Sequence, residues 1–248
     1  MADGERFPWP GGARAAISFT FDDARPSQVD VGLRLFDARG HKATWYVSPP
    51  ALPLRADQWR QAAAAGHEIG NHTLTHPCTG NFPWSRANAL EDFTLARMEA
   101  ELAGADAQIL QTTGATPRTF AYPCGQTFVG RGETLQSYIP VVARRFLAGR
   151  AFMSENANDP AFCDFANLGA SWCDGRSADW FEATAERARE DGAWLILAGH
   201  DIGPETAYQT TRTDALNRFF DWLARPDAGF WVGTVAAVAA HIKGRRPG

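Results

Sequence analysis

Two adjacent carboxylates, Asp22 and Asp23, end the alternating apolar stretch Ile17-Ser18-Phe19-Thr20-Phe21, and two histidines four positions apart, His72 and His76, follow about fifty residues on. Successive strand residues point to opposite faces, so neighbouring acids can serve one site only where the strand runs out into a loop. A carboxylate oxygen and two imidazole nitrogens suit a divalent cation, and a three-ligand set leaves positions open for water and substrate. These residue types in this order point to a metal-dependent hydrolase.

Such residues need elements that carry them to one place. Strands are expected at Ala15 to Phe21, Ala43 to Val47, Glu68 to Gly70, Arg118 to Tyr122, Trp194 to Ala198 and Phe230 to Val232, with weaker ones near Ala151 to Met153 and Leu168. Helices are expected at Ser27 to Arg39, Asp57 to Ala65, Ser85 to about Thr112, Leu135 to Phe146 with a kink at Pro140, Asp179 to Glu190, Thr213 to Leu223 and Val235 to Ile242. The alternation implies an α/β fold, a parallel sheet closed or nearly closed into a barrel. Asp22-Asp23, His72, the turn Pro123-Cys124-Gly125 and His200-Asp201 each follow an expected strand, and in a (β/α) barrel those ends gather on one face.

Length and composition are consistent with one domain over residues 1 to 248: 45% hydrophobic residues suffice for a full core. A formal charge of -4 leaves no basic footprint for nucleic acid. No apolar run is long enough to span a membrane, and the N-terminal residues lack a basic segment followed by an apolar one. A cytoplasmic protein is expected unless a leader has been removed. Cys78, Cys124, Cys163 and Cys173 are widely spaced, so reduced thiols are expected, with a Cys78–Cys124 bridge as the alternative.

The assembled motifs resemble those of the polysaccharide deacetylase family, carbohydrate esterase family four. The matching residues are Thr20-Phe21-Asp22-Asp23, His72 and His76 after Gly66-His67-Glu68-Ile69-Gly70-Asn71, Tyr122-Pro123-Cys124-Gly125, and Leu197-Ala198-Gly199-His200-Asp201. The resemblance implies a distorted (β/α) barrel of about seven parallel strands that removes acetyl groups from N- or O-acetylated sugars. It also implies a divalent metal, with zinc ahead of cobalt, nickel or manganese. Carried over residue by residue, it implies Asp23, His72 and His76 as metal ligands, Asp22 as general base, His200 as general acid, and the Cys124 N–H as oxyanion donor beside Tyr122.

The chain departs from the pattern in three places. Ala121 stands where the family's turn carries an arginine that holds the base, and Arg118 is a candidate replacement. Cys124 replaces an aromatic residue. Asp179-Trp180 matches the second half of the family's Asp-x-x-Asp-Trp motif and suggests Asp179 as the partner of His200, Asp174 being two residues too far upstream. Residues 126 to 170 match no motif and are expected to govern substrate choice. Trp84, Trp172 and Trp180 are the tryptophans expected near the site loops, one or two of them lining a groove. The expected partner is an acetylated carbohydrate or small amide. Two competing readings are hydrolysis of a cyclic amide, imide or ureide on the same fold, and a non-catalytic carbohydrate-binding protein.

Overall fold

The computed structural model describes residues 6–204 and 207–246. Its strands are β1 (Ala15–Asp22), β2 (Thr44–Val47), β3 (Glu68–Asn71), β4 (Thr119–Ala121), β5 (Phe128–Val129), β6 (Gln136–Ser137), β7 (Ala148–Arg150), β8 (Ser171–Trp172), β9 (Trp194–Gly199), β10 (Asp201–Gly203), β11 (Thr210–Arg212) and β12 (Phe230–Val232). The helices are α1 (Leu33–Asp37), α2 (Ala56–Ala64), α3 (Leu95–Thr113), α4 (Ile139–Arg145), α5 (Ala178–Glu190), α6 (Thr213–Leu223) and α7 (Val235–Lys243). Seven strands run in the order β7-β4-β3-β2-β1-β9-β8, with β12 beside β1 as an eighth, and every pairing in this sheet is parallel. A parallel bridge between Arg150 and Leu168 draws the two open edges together. The result is a distorted barrel, as the sequence implies.

Alternation along β1 explains the layers. Ile17, Phe19 and Phe21 face outward into a core with Phe36 of α1, Trp45 of β2 and Phe219 and Phe220 of α6. Ser18, Thr20 and Asp22 take the opposite face, where Ser18 bonds to Gly233 O and Thr20 to Leu197 O. Asp22 thereby enters the barrel interior, buried.

Several elements differ from expectation. The stretch after Ser85 begins as two short turns, Pro83–Asn88 and Leu90–Asp92, before α3 starts behind Thr94, whose hydroxyl accepts from the Arg97 N–H at 3.2 Å. Pro140 does not kink α4; it lies in the first turn, where its missing N–H leaves no gap. Gln28–Gly32 is a π-helical turn that runs into the short α1. The strands expected near Ala151 to Met153 and Leu168 lie instead at Ala148–Arg150 and Ser171–Trp172. No helix among the described residues is long and apolar enough to cross a membrane.

Candidate active site

The C-terminal ends of the strands open into a cavity of about 830 Å³ whose lining includes Asp22, Asp23, His72, His76, Tyr122, Cys124 and His200. Asp23 follows β1 with φ of 78°, a left-handed conformation that turns its carboxylate back toward the face Asp22 already occupies. Of the non-glycine residues with positive φ among the described residues, Asp23, His76, Cys124, Met153 and Gln209 line this cavity, and Ala24 and Thr73 adjoin Asp23 and His72. Strain gathered in this way marks a site held in place by its surroundings.

That support can be traced residue by residue. His72 lies just past β3, and its Nδ1 is 2.8 Å from Ala121 O, so Nδ1 donates and Nε2 presents a lone pair. The loop to His76 is pinned from α3: Glu101 accepts from the backbone of Leu74 at 3.2 Å and Thr75 at 2.9 Å, and from the Thr75 hydroxyl at 3.0 Å. Thr73 Oγ1 accepts from the His76 N–H at 3.0 Å. Asn71 ties the same turn to α3 through Leu102 O and Asp106. Nε2 of His72 and of His76 lie 3.6 and 3.5 Å from Asp23 Oδ1, and one ligand atom from each of the three residues falls within 4.8 Å of the others.

Protonation states fit a cation here. Burial would raise the Asp23 carboxyl, but His72 and His76 overcome it and hold the acid at about 2. Burial and the adjacent His72 lower His76 to about 4. At neutral pH Asp23 is thus an anion and His76 a neutral imidazole, the forms in which both bind metals.

Asp22 has an unexpected partner. The sequence leaves the guanidinium missing at Ala121 and offers Arg118, yet the structure supplies Arg150, which pairs with Ala121 in register across β4 and β7. The side chain therefore enters at the same height from the neighbouring strand. Arg150 is fully buried, its Nη2 donates to Asp22 Oδ1, and its guanidinium stands 5.0 Å from the Tyr46 ring. Burial would raise Asp22, but Arg150, His72 and His200 hold it below the usual carboxylate range. The only sequence signal was an arginine directly after Ala148-Gly149, in a stretch whose strand position was misplaced.

The partner of His200 also needs correction. Asp179 sits in the first turn of α5, exposed and paired with Arg218 of α6, and Trp180 packs against the outer core; neither lines the cavity. Asp174, two residues past β8, takes the role instead. Its Oδ2 is 2.6 Å from His200 Nδ1 and accepts from Trp172 Nε1 at 2.9 Å, while Oδ1 accepts from Thr211 at 2.7 Å. Burial works against the His200 cation, but the Asp174 hydrogen bond and the charge of Asp22 raise its pKa above the ordinary value. The buried Gln28 amide, another residue without a sequence signal, donates to Asp22 O and His200 O and so joins the exits of β1 and β9.

Tyr122 is buried, its hydroxyl donating to Ala166 O at 2.6 Å, and it reaches the cavity only as a wall. Cys124 is exposed on that wall and bridged to the buried Cys78, with Cα atoms 6.3 Å apart; Cys163 and Cys173 are free. The expectation of four reduced thiols is thus corrected for one pair. Adjacency of β3 and β4 brings together the loops that follow them, across a sequence separation of 46. Reducing this bridge is expected to lower stability by about 2–4 kcal/mol, read as a shift of the denaturation midpoint with and without thiol. An unchanged midpoint would mean the bridge does not constrain the chain.

Among known proteins, the family described as polysaccharide deacetylase matches residues 11–136. A gellan lyase from Bacillus sp is 31% identical over 136 residues, 55% of this chain and 5% of that protein, so the chain spans only a small part of the curated relative it matches. A putative polysaccharide deacetylase from Mycobacterium smegmatis superposes with a TM-score of 0.69 at 16% identity, covering 97% of this chain and 94% of that one. A family 4 acetyl xylan esterase from Clostridium thermocellum, solved with a cobalt ion, gives 0.59 at 21% identity over 94% and 93%. At these identities the structural likenesses speak to the fold.

Proposed function

The chain belongs to the polysaccharide deacetylase family, and from that premise we propose that it is a metal-dependent hydrolase removing acetyl groups from an N- or O-acetylated sugar or polysaccharide. The observation that carries this reading is the convergence of Asp23, His72 and His76 beside an arginine-held Asp22 and an aspartate-held His200. Asp23, His72 and His76 would hold a divalent cation, for which zinc is our first choice over cobalt, nickel or manganese, both donor types, carboxylate oxygen and imidazole nitrogen, being those zinc accepts. Such an ion makes water acidic enough to attack at neutral pH and polarises a carbonyl.

The chain's own groups do the rest. Asp22, ionised and pinned at Oδ1 by Arg150, accepts the proton of the attacking water. The Cys124 N–H donates to the oxygen on which negative charge develops. His200, with Nδ1 fixed on Asp174, delivers a proton from Nε2 to the departing nitrogen or oxygen. One proton gained by Asp22 and one lost by His200 are exchanged with solvent before the next turnover.

An acid that must be protonated sets the sign of the pH dependence. Activity falls as pH rises through the raised His200 pKa. Asp174→Asn removes the strongest influence holding that proton, so the alkaline limb of the kcat/KM profile is expected to move to lower pH. A limb that does not move would remove His200 from the acid role.

The cyclic-amide reading drew on the missing turn guanidinium, and Arg150 supplies one. The Cys78–Cys124 bridge favours an oxidising compartment over the cytoplasm expected from sequence. Acetate release from N-acetylated and O-acetylated sugars, after chelation and after return of zinc, tests the proposal. Metal-restored release supports it; ring opening of cyclic amides, or binding without turnover, supports a competing reading.

A further inference from the structure

Asp23 turns one oxygen to the imidazoles and has the other taken. Oδ1 faces Nε2 of His72 and of His76 at 3.6 and 3.5 Å, whereas Oδ2 accepts from Arg25 Nη2 at 3.0 Å and from Arg25 Nε at 3.3 Å. Backbone geometry makes this contact. Asp23 and Ala24 are both left-handed, with φ of 78° and 55°, so the chain folds back on leaving β1 and returns the Arg25 side chain to the carboxylate just before it.

Arg25 is itself held from the far side. Its Nη1 donates to Asp201 Oδ2 at 2.7 Å, and Nη2 also donates to Gln209 Oε1 at 2.7 Å. Asp201 is fixed in turn: its Oδ1 accepts from Ser27 Oγ at 2.6 Å, and its N–H donates to Gln209 O at 2.9 Å. With Oε1 turned to the guanidinium, the Gln209 amide nitrogen stands 3.5 Å from His200 Nε2. One planar fork thus spans the carboxylate beside the two imidazoles and the amide that faces the acid.

A guanidinium beside a cation site needs a reason, because its charge alone would weaken binding there. Asp201, 2.7 Å away, offsets most of that charge. A carboxylate restrained before the ion arrives loses little freedom on binding it, and groups hydrogen-bonded to ligands set metal affinity in this way. With Oδ2 engaged, Asp23 has a single oxygen to give, which leaves positions open for water and substrate.

We infer that Arg25 is a positioning residue for the metal centre, reserving Asp23 Oδ1 for the ion by holding Oδ2, with Asp201 and Gln209 fixing the guanidinium in place. This rests on the metal-dependent reading above and adds the group that orients its carboxylate ligand.

The test titrates zinc alone into chelator-stripped wild type, Arg25→Met and Arg25→Lys by calorimetry, and compares the visible absorption of the same three proteins loaded with cobalt. Lysine keeps the charge, and with it the fold of the loop, but its single ammonium cannot span Asp23, Asp201 and Gln209 as the fork does. In Arg25→Met zinc affinity is expected to fall about 10–100-fold, the usual cost of losing a group that orients a ligand. Arg25→Lys is expected to lose less, in the same direction. The sign separates positioning from charge: on charge alone, removing a cation beside the site and leaving Asp201 unpaired would tighten binding. Cobalt absorption is expected to weaken in both variants, as the freed Oδ2 raises the coordination number. Zinc held at least as tightly by a folded variant as by wild type, or a cobalt band of unchanged intensity, would overturn the inference while leaving metal dependence standing. Absence of saturable zinc binding in wild type would overturn both.

Discussion

Asp22→Asn is expected to lower kcat by about 10²–10⁴-fold, the usual contribution of a positioned general base, and to cost stability because the buried Arg150 cation loses its counter-charge, while divalent-cation binding by the folded protein is kept. Asparagine keeps the shape of the side chain and an oxygen that can accept from Arg150, so packing around the interior end of β1 is preserved. What it loses is the site for the proton of the attacking water. Asp23, His72 and His76 lie within 4.8 Å of one another, and the hydrogen bonds that hold them come from Arg25, Ala121 and Thr73. Steady-state kinetics alongside calorimetric zinc titration check both parts. Near-native kcat would move the base role elsewhere, and loss of zinc binding would make Asp22 a ligand.

Arg150→Met should damage both stability and rate, because it strands a buried anion. The guanidinium is fully buried against Asp22 and Tyr46, and removing one member of such a pair costs about 3–5 kcal/mol. The pH dependence has a definite sign. In the wild type the Asp22 pKa is depressed, so its contribution to stability is present above the ordinary carboxylate range and lost as pH falls through the lowered value. In the variant, burial is the largest remaining influence and raises the carboxyl, so the folded protein takes up the proton more readily than the unfolded chain. Arg150→Met is therefore expected to be less destabilised at pH 5 than at pH 7, and its activity to appear only at higher pH. Denaturant melts at both pH values decide it; equal destabilisation at the two would mean that Arg150 acts by packing alone.

The legibility of this site in the sequence follows how local each feature is. Asp22-Asp23 and His72-His76 were readable because an alternating strand and its exit loop are contiguous, and the chemistry of the ligand set is visible within each short motif. Arg150 was not readable, since its role depends on β7 lying next to β4, a pairing between residues 119–121 and 148–150 that no periodicity announces. The Cys78–Cys124 bridge was legible only as the alternative to reduced thiols, because its pairing depends on β3 and β4 being neighbours. Asp179 was preferred over Asp174 on motif spacing. The fold decides otherwise: β8 and β9 are adjacent, so a residue just past β8 meets His200 just past β9, while Asp179 has already entered a helix and faces solvent. Helix starts were misread where a capping threonine and short turns interrupted an apolar period, as at Thr94.

The central claim is that one carboxylate and two imidazoles together hold a single divalent ion. Calorimetric titration of zinc into chelator-stripped protein tests it most directly, run on the wild type and on Asp23→Asn, His72→Ala and His76→Ala. One saturable site per chain in the wild type, weakened in all three variants, is the expected result. No saturable binding, or a site that the three substitutions leave untouched, would contradict the account.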